Sequence, residues 1–341
     1  MTADRGTDVS VVMLAYGAEP FLFEAVDAVL SSRGVRVEVV VVDNGCASDL
    51  SALERRSGVR VLRPGSNTGF AGGCNLGAAA TSAAVLALVN SDAVVEPDAL
   101  AELAAVARRL EVGLVSGSIR LAGTPELMNS AGNPVHVLGL SWAGGLGEPA
   151  ERHAVGTAVA SASGAALAVR REVWDALGGF TTEFFAYQED CDLSLRCWQR
   201  GWEVRFVPEA VIAHHYEFSR NPLKFYLLER NRLAMLLTVY GGRLLVLLAP
   251  ALLALELAML AVALRQGWMR QKLRGYRWLM SNRGWLRRRR REVQAVRVVG
   301  DRDLAGLLTG HFDPVALPLP VGAGALNALM SGYWRLVRRL L

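Results

Sequence analysis

The chain has 341 residues, of which 52% are hydrophobic, so it can bury a sizeable core and has room for two structural units. Its four cysteines are scattered without a CxxC pair, which argues against a disulfide framework and favours reduced thiols in the cytosol. The net charge is +5, yet the segment from Arg265 to Arg291 holds eleven Lys or Arg residues and no acidic one. Such a segment indicates contact with phosphate-rich material, either lipid headgroups or nucleic acid.

Apolar runs alternate with helical patterns along the first 120 residues. The runs are rich in β-branched residues and are typical of strands, whereas the segments between them have a helical period. Strands are predicted over 10–14, 37–42, 59–62 and 85–89, and helices over 20–32, 48–56, a segment that ends near 84, and 97–110. This alternation predicts a parallel sheet with helices on both faces.

The pattern is more mixed between residues 155 and 215. We predict a strand over 162–170, a helix that begins near Glu189 and ends at Gly201, and a strand over 203–215. This half of the chain is expected to bind the second substrate.

Polar residues follow three of the early apolar runs. Asp43, Asn67 and Asp92 each come after the end of a predicted strand. In open α/β sheets, ligands collect at the carboxyl ends of the strands. We therefore expect these three side chains to point into one crevice.

The stretch SNTGFAGGCNLGAA, residues 66–79, is rich in glycine and precedes a helical pattern. Small residues and a helix N-terminus suit a phosphate group. The spacing matches neither GxGxxG nor GxxxxGK[ST], so a dinucleotide oxidoreductase is disfavoured. Taken alone, such a turn is more often structural.

The short motif Asn90-Ser91-Asp92 ends the fourth apolar run. Asp92 suits a divalent cation that bridges a diphosphate, because Mg²⁺ commonly takes one or two protein carboxylates plus substrate phosphates. The alternative is an N-cap, but four residues separate Asp92 from the next helix. Asp43 could contact a ribose or a base, or form a simple Asx-turn.

Acidic residues crowd the start of the helix in FFAYQEDCDL, residues 184–193. Carboxylates at a helix start stay ionised, and an ionised carboxylate can accept a proton from an attacking hydroxyl. Asp192 is expected to pair with Arg196 at i,i+4, which leaves Asp190 or Glu189 as the candidate base. His214-His215 follows a strand, so only one of the two imidazoles can face a metal site.

An apolar segment, residues 244–264, is long enough to cross a bilayer, but it contains Pro250 and Glu256 and has basic flanks on both sides. These features favour a re-entrant or in-plane helical hairpin on a membrane. The alternative is a buried helix pair in a soluble protein. No nucleic-acid module or aromatic platform accompanies RRRRR, residues 287–291, so anionic lipid is favoured over nucleic acid.

Several motifs, in one order, resemble glycosyltransferase family 2 and more narrowly its rhamnosyltransferase-like branch. They are VSVVMLAYGAE, VVVVDNGCASD, NTGFAGGCNLG, LVNSDAVVEPDAL, SGAALAVRREVWDALGGFTTEFFAYQEDCDLSLRCWQRGW, HHYEFS and ERNR. The resemblance covers residues 8 to 235. It implies an α/β glycosyltransferase type A fold, a Rossmann-like mostly parallel sheet with flanking helices, and inverting, metal-dependent transfer from a nucleotide sugar.

The resemblance also assigns site residues. Asp190 would be the base, with Glu189 as its neighbour, and Asp92 with His214 would hold Mg²⁺ or Mn²⁺; His214 is favoured over His215 because Ser219 follows it by five residues. The nucleotide sugar would contact residues at the strand ends, namely Ala15, Tyr16, Glu19, Asp43, Asn67, Gly72, Asn75, Asn90, Ser91 and Asp92. The acceptor or a phosphate would contact Gly164, Trp198, Arg230 and Asn231.

Two departures from the family pattern stand out. The common YN after the first strand is Tyr16-Gly17 here, and the DxD position is Asn90-Ser91-Asp92, with one carboxylate instead of two. The second departure is the best support for the alternative of a degenerate membrane scaffold. We predict boundaries after residues 120, 235 and 295, which separate two halves of one catalytic domain, a membrane-associating segment and a tail.

The resemblance implies a function at the cytoplasmic face of the cell membrane. The expected reaction moves L-rhamnose from dTDP-rhamnose to a polyprenyl-diphosphate-linked saccharide in cell-envelope polysaccharide synthesis. A transferase that uses UDP-galactofuranose or a UDP-hexose is the alternative.

Overall fold

The computed structural model describes residues 7–215, 221–313 and 323–341. They divide into two compact units. The sheet unit comprises Met1–Asn133, Ala143–Cys197 and Trp202–Glu217, and the helical unit comprises Pro134–Trp142, Trp198–Gly201 and Phe218–Leu341. The helical unit therefore begins earlier in the chain than the predicted boundary after residue 235, and it includes two short segments that the sequence placed with the sheet.

The sheet unit contains all ten strands of the described residues. They are β1 Val9–Gly17, β2 Val37–Cys46, β3 Val59–Leu62, β4 Val85–Val89, β5 Ala93–Val95, β6 Val112–Leu121, β7 Thr124–Ser130, β8 Thr157–Ala158, β9 Ala166–Arg170 and β10 Glu203–His214. The helices that begin in this unit are α1 Leu22–Leu30, α2 Ser51–Glu54, α3 Gly69–Ala79, α4 Ala99–Ala107, α5 Arg171–Leu177 and α6 Glu189–Gln199. Two 3₁₀ turns, Ala150–His153 and Thr182–Phe184, complete it.

The strands form one sheet in the order β3-β2-β1-β4-β9-β6-β10-β5, with β7 on β6 and β8 on β10. The first four strands are parallel, as predicted. Beyond β4 the sheet is mixed, because β9 runs antiparallel to both β4 and β6. The reversal brings the start of β9 beside the end of β4, where Val89 pairs with Ala166.

The valine-rich runs form the centre of this sheet. All five residues of β4 are buried, and Val39 to Val42 of β2 are buried as well. Strands covered on both faces need apolar side chains on both sides, which explains why these runs do not alternate with polar residues. Helices α1 and α4 supply much of the core on one face.

Two glycines of α3 allow the helix to lie directly on β1. A Cβ atom on Gly73 would come within 2.1 Å of Leu14 Cδ1, and one on Gly77 within 2.3 Å of Val12 Cγ1. Both distances are far below van der Waals contact. These glycines of the SNTGFAGGCNLGAA stretch therefore serve helix–sheet packing, which is the structural interpretation of a glycine-rich turn.

The helical unit contains the remaining helices. They are α7 Pro222–Val239, α8 Gly242–Arg265, α9 Met269–Ser281, α10 Arg283–Ala295, α11 Asp301–Leu304 and α12 Ala323–Leu340. The apolar segment forms one continuous helix that passes through Pro250, so the expected hairpin does not turn within residues 244–264. The turn comes after α8, and α9 forms the second, basic arm.

A buried ion-pair network joins α7, α8 and α9. Arg232 and Lys272 each donate to both Glu229 and Glu256, and Tyr276 donates its hydroxyl to Glu256. The Arg232–Glu229 distance is 3.0 Å and the Lys272–Glu256 distance is 2.7 Å. Two cations thus balance the charge of two carboxylates. A carboxylate buried in an apolar helix needs such a paired cation.

Replacing Gly77 by Ala is expected to lower the stability of the protein. The new Cβ atom would overlap Val12, whose branched side chain is held in a buried strand, and overpacking of this kind costs about 1–3 kcal/mol. Thermal unfolding followed by circular dichroism measures the change in Tm. Gly332→Ala in α12 is the control, because no atom lies within 4 Å of its added Cβ. A Tm for Gly77→Ala at or above that of the wild type would contradict the packing role.

Candidate active site

The Asn90-Ser91-Asp92 turn connects β4 to β5 at the carboxyl end of the parallel strands. The Asn90 N–H donates to the carbonyl of Ala165 at 2.9 Å, and the Asn90 carbonyl accepts from the Ala93 N–H at 3.1 Å. The side-chain oxygen of Asn90 is buried and has no hydrogen-bond partner among the described residues. A buried acceptor without a partner is costly unless a ligand satisfies it.

Asp92 and His214 lie close together although 122 residues separate them. The antiparallel pairing of β5 with β10 sets His214 opposite Ala93, and Nε2 of His214 lies 3.1 Å from Oδ1 of Asp92. Nδ1 of the same imidazole lies 2.9 Å from Oδ1 of Asn129, on β7. With the amide oxygen of Asn129 in this position, Nδ1 donates, and Nε2 faces Asp92 with a lone pair or, in the charged imidazole, with a proton.

This tautomer decides what the pair can bind. In a neutral imidazole with a proton on Nδ1, Nε2 presents a lone pair, so two acceptors face each other at 3.1 Å. A positive ion, either a proton or a metal, is needed beside them. Within the described part of the chain, no cluster of three or more His, Cys, Asp or Glu side chains suits a metal. The protein would supply two ligands, and diphosphate oxygens the others.

Only one of the two consecutive histidines faces Asp92, as the alternation of side chains along a strand predicts. His215 instead stacks on Phe21, with ring centroids 3.5 Å apart and planes 10° apart. Ser219, on which the choice of His214 rested, lies outside the described residues.

Glu19 connects the end of β1 to the Asn90-Ser91-Asp92 turn. Its carboxylate accepts from the Tyr16 N–H at 2.8 Å and from the Ser91 hydroxyl. Burial raises the pKa of Glu19, and the nearby Asp92 carboxylate raises it further. Tyr16 itself is 59% exposed, with its ring beside Gly45, so its phenol ring is available to a base.

Asp43 forms the Asx-turn that was considered as its structural role. One carboxylate oxygen accepts from the N–H groups of Gly45 at 3.2 Å and Cys46 at 2.9 Å. The other oxygen lies 3.6 Å from Nε of Arg63, which is half exposed. In the sheet Asp43 pairs with Ala15, so the ends of β1 and β2 are adjacent, as the predicted crevice requires.

Asn44 is a central residue that the sequence reasoning missed. Its buried amide accepts from the N–H of Thr68 at 2.8 Å and from the Thr68 hydroxyl at 2.9 Å, and it donates to Asn67 at 2.9 Å and to the Gly69 carbonyl at 3.3 Å. Asn67 in turn accepts from the Gly69 N–H at 2.8 Å. Asn44 therefore holds the loop before α3 against the end of β2. Its position next to Asp43 in the DNG turn is the only sequence signal for this role.

Asn75 and Gly72, both predicted to contact the nucleotide sugar, lie on α3. The Asn75 amide donates to the Phe180 carbonyl at 2.8 Å and accepts from the Phe180 N–H at 2.9 Å. This side chain anchors the loop that precedes α6. A Cβ on Gly72 would lie 3.1 Å from that of Thr68, so the helix start is tightly packed here. A direct contact of either residue with a nucleotide stays a prediction.

The loop before α6 has a strained backbone. Phe185, Tyr187 and Gln188 have φ angles of 66°, 68° and 69°, which side-chain-bearing residues rarely adopt. The Phe185 carbonyl accepts from the Ala71 N–H at 3.0 Å, and a Cβ on Gly69 would meet that oxygen at 2.4 Å. Strain of this kind persists where surrounding contacts enforce it, and it is concentrated at functional sites.

The two candidate bases at the start of α6 have different environments. Glu189 is buried, its Oε2 has no partner among the described residues, and burial together with Asp190 raises its pKa to about 8. Asp190 is partly buried and accepts from the N–H groups of Gly164 at 3.0 Å and Cys191 at 2.7 Å. Burial raises the pKa of Asp190 as well, but these two N–H groups oppose the shift.

Asp192 is paired, as predicted. Its carboxylate lies 2.9 Å from Nε of Arg196 and also accepts from the hydroxyl of Thr181 at 2.9 Å. It is fully buried, so it is not available to a substrate.

Three predicted acceptor residues belong to the helical unit. Arg230 stacks on Trp278 and donates from Nε to Oδ1 of Asn231 at 2.8 Å. Trp198 lies at the end of α6. Contact of Trp198, Arg230 or Asn231 with an acceptor stays a prediction.

The chain matches the family described as glycosyltransferase-like family 2 over residues 6–235. The protein belongs to this family. The match includes the whole of the parallel sheet, the Asn90-Ser91-Asp92 turn, both residues at the start of α6, and His214. It confirms the resemblance drawn from the ordered motifs, and with it the assignment as a glycosyltransferase.

Relatives of this glycosyltransferase include proteins of polysaccharide synthesis. The N-acetylglucosaminyl-diphospho-decaprenol L-rhamnosyltransferase of Mycobacterium tuberculosis is 29% identical over 246 residues, which are 62% of this chain and 78% of that protein. The uncharacterized protein y4gI of Sinorhizobium fredii is 30% identical over 199 residues, but the match spans only 22% of its length. The succinoglycan biosynthesis protein ExoO of Rhizobium meliloti is 36% identical over 101 residues, 28% of this chain and 29% of that protein.

Solved glycosyltransferase structures share the fold. GalNAc-T7 with UDP, GalNAc and Mn²⁺ has a TM-score of 0.58 and 18% identity, over 70% of this chain and 49% of that one. The mannosyltransferase PcManGT of Pyrobaculum calidifontis with GDP-Man and Mn²⁺ has a TM-score of 0.50 and 17% identity, over 98% of this chain and 86% of that one. The predicted glycosyltransferase type A fold is thereby confirmed.

Replacing Glu189 by Gln is expected to change how stability depends on pH. The folded protein holds a proton on Glu189 up to about pH 8, whereas the unfolded chain releases it near pH 4.5, so wild-type stability falls as the pH rises through this window. Glu189→Gln removes that contribution. Thermal unfolding from pH 4 to 9 (about the window set by the two pKa values) should give a flatter profile than the wild type. Glu183→Gln, at an exposed position of the same loop, is the control; equal slopes for all three proteins would contradict the buried acid.

Proposed function

We propose that this glycosyltransferase moves a sugar, L-rhamnose from dTDP-rhamnose as the first choice, to a lipid-linked saccharide with inversion at the anomeric carbon. The observation that carries the proposal is the convergence of Asn90, Asp92, His214 and Asp190 at the end of β4. The Asn90 N–H donates to the Ala165 carbonyl, and the N–H of the preceding residue, Gly164, donates to Asp190, so the turn and the candidate base are linked through two hydrogen bonds.

The donor would lie across the ends of β1 and β2. Tyr16 offers an exposed ring to the base, and Asp43 offers a carboxylate oxygen to the ribose. The diphosphate would lie near Ser91 and Asp92, where the unpartnered oxygen of Asn90 can accept from a sugar hydroxyl. Glu19 holds Ser91 in place and is itself more easily protonated than a free carboxyl.

A divalent cation, Mg²⁺ or Mn²⁺, fits Asp92 and His214 because both atoms that face each other are acceptors. When bound, it would neutralise charge on the departing diphosphate. Mn²⁺ accompanies the nucleotide in both solved neighbours, GalNAc-T7 and PcManGT. The residue Asn129 then acts as a positioning residue, because it fixes the tautomer and orientation of the imidazole.

Asp190 is the better base of the two acidic neighbours. At neutral pH Glu189 holds its proton, since its pKa is raised to about 8, and a protonated carboxyl cannot accept another. The carboxylate of Asp190 would take the proton of the acceptor hydroxyl. The hydroxyl oxygen forms a bond to the anomeric carbon, and the bond from that carbon to the diphosphate oxygen breaks, which releases the nucleoside diphosphate.

The acceptor and the location follow from the relatives and from α8. The mycobacterial relative is named for a decaprenol-linked acceptor, so we assign a polyprenyl-diphosphate-linked saccharide here as well. Helix α8 is apolar enough to associate with a membrane, and only 6% of its most apolar window is buried. That exposure disfavours the alternative of a buried helix pair and supports contact with a membrane. We propose the anionic, cytoplasmic face because the segment from Arg265 to Arg291 is basic.

Two alternatives use other features of the chain. A UDP-galactofuranose or UDP-hexose donor is the first alternative, because the contacts proposed above, Tyr16 with the base and Asp43 with the ribose, do not distinguish between sugars. A catalytically degenerate scaffold is favoured by the single carboxylate of Asn90-Ser91-Asp92, and disfavoured by the pairing of that carboxylate with His214.

Replacing Asp190 by Asn is expected to lower kcat by about 100- to 10,000-fold, the usual contribution of a general base, with KM for the donor little changed. Asp92→Ala should abolish transfer, whereas Asn90→Ala should only reduce it. Transfer from radiolabelled nucleotide sugars to a polyprenyl-diphosphate saccharide measures these effects. The control is Asp98→Asn, at an exposed position whose side chain makes no cap hydrogen bond.

The same assay separates the alternatives. Transfer from dTDP-rhamnose alone supports the first choice, and transfer from a UDP-sugar alone would replace it. A wild-type chain that is inert with every donor, and whose melting temperature no nucleotide sugar shifts in the presence of Mn²⁺, would favour the scaffold.

Replacing Asn129 by Leu is expected to weaken Mn²⁺ binding by about 10- to 100-fold, because His214 loses the acceptor that orients it. Electron paramagnetic resonance of free Mn²⁺, titrated in the presence of dTDP, gives the dissociation constant without turnover. Asn129→Asp keeps an acceptor for Nδ1 and should retain the affinity. Glu126→Gln, at an exposed position of the same strand, is the control. Wild-type affinity in Asn129→Leu would contradict the positioning role.

A further inference from the structure

The C-terminal helix α12 carries two separate apolar stripes. The first is packed against the rest of the helical unit, where Trp334 donates from Nε1 to the Leu308 carbonyl at 3.3 Å. On the same side, the Asn327 amide accepts from the Phe312 N–H and donates to the Phe312 carbonyl, both at 2.9 Å. The second stripe is exposed, and its leucines together with Tyr333 recur every three or four residues. Its leucines are exposed by 59%, 69%, 53% and 45% at Leu326, Leu329, Leu336 and Leu340.

The exposed stripe of α12 adjoins that of α8. The hydroxyl of Tyr333, which lies within the leucine stripe, donates to the carbonyl of Leu247 in α8. Helix α8 exposes large apolar side chains along its length, by 73%, 62%, 60% and 70% at Val246, Leu253, Leu257 and Leu264. Neighbouring helices that both expose leucine and valine side chains form an apolar surface of the kind that marks a protein or membrane interaction site.

Cations border this surface. Helix α12 contains Arg335, Arg338 and Arg339, all exposed, and no acidic residue. Arg243 and Arg265 lie at the two ends of α8 and are exposed as well. The one carboxylate of α8, Glu256, faces away from the surface, since Arg232 and Lys272 bind it.

We propose that α12 and α8 form one lipid-binding surface, in which α12 lies in the headgroup region of an anionic bilayer with its leucine stripe among the acyl chains. The inference rests on the membrane contact of α8 proposed above and adds the second helix. Three arginines prevent α12 from spanning a bilayer, whereas a leucine stripe with flanking cations is the composition of an in-plane helix.

Charge favours a bilayer over a second copy of this chain. A symmetric dimer through this face would bring the arginines of two α12 helices near one another without acidic partners on either helix, and like charges across an interface oppose association. Anionic headgroups would instead attract each cation.

The test compares vesicle binding of the full chain and its variants by flotation. Vesicles contain equal parts of phosphatidylglycerol and phosphatidylcholine, or phosphatidylcholine alone. The double variant Leu329→Glu/Leu336→Glu should bind the anionic vesicles about tenfold more weakly or worse, since two apolar side chains no longer enter the bilayer. Arg338→Gln/Arg339→Gln should lose the preference for anionic vesicles and bind them about as weakly as phosphatidylcholine vesicles. Leu110→Glu, a leucine of the sheet unit that is 79% exposed, is the matched control.

All substituted positions are exposed, so circular dichroism should show folded variants, and transfer to a water-soluble acceptor in detergent should equal that of the wild type. A wild type that does not catalyse this transfer would contradict the proposed function, but not the proposed lipid-binding surface. Leu253→Glu tests whether α8 belongs to the same surface, and this variant should also weaken binding to the anionic vesicles. Wild-type vesicle binding by the α12 double variant would overturn the proposal, and so would a wild-type dimer, seen by light scattering, that this variant makes monomeric.

Discussion

The fold of the sheet unit brings two acceptors to within 3.1 Å of each other, Oδ1 of Asp92 and Nε2 of His214. Their approach depends on β10, which pairs parallel with β6 and antiparallel with the three residues of β5. The Asn129 amide oxygen accepts from Nδ1 of the imidazole, so Nε2 faces Asp92. In the neutral imidazole a metal ion can bind both facing acceptors, and in the charged imidazole the two side chains form an ion pair.

The remaining parts of the site are arranged around this pair by backbone geometry. Strand β9 runs against β4, and this reversal places Gly164 next to both the Asn90 turn and the carboxylate of Asp190. On the opposite side, the strained loop before α6 is held by α3 through Asn75 and the Phe185 carbonyl. The segments proposed to bind the donor and the acceptor are thus joined by hydrogen bonds.

In the helical unit, the apolar helix α8 lies with one side exposed. Glu256 would oppose contact with anionic lipid if its charge were exposed. Arg232 and Lys272 bind it from α7 and α9, so α8 is oriented by a buried ion-pair network and presents valine and leucine side chains outward. The burial of two carboxylates with two cations explains why an acidic residue persists in the middle of an otherwise apolar helix.

The sequence alone determined the four parallel strands with the helices between them, the strand-end positions of Asp43 and Asp92, the Asp192–Arg196 pair and the family. These features are local, because hydrophobic period, turn residues and i,i+4 spacing depend on neighbours in the chain. Only the tertiary structure decided the antiparallel β9, the roles of Asn44 and Asn129, the protonation of Glu189 and the continuous helix through Pro250. Each of these depends on burial or on partners far away in sequence, and no local pattern encodes which distant strand will supply them.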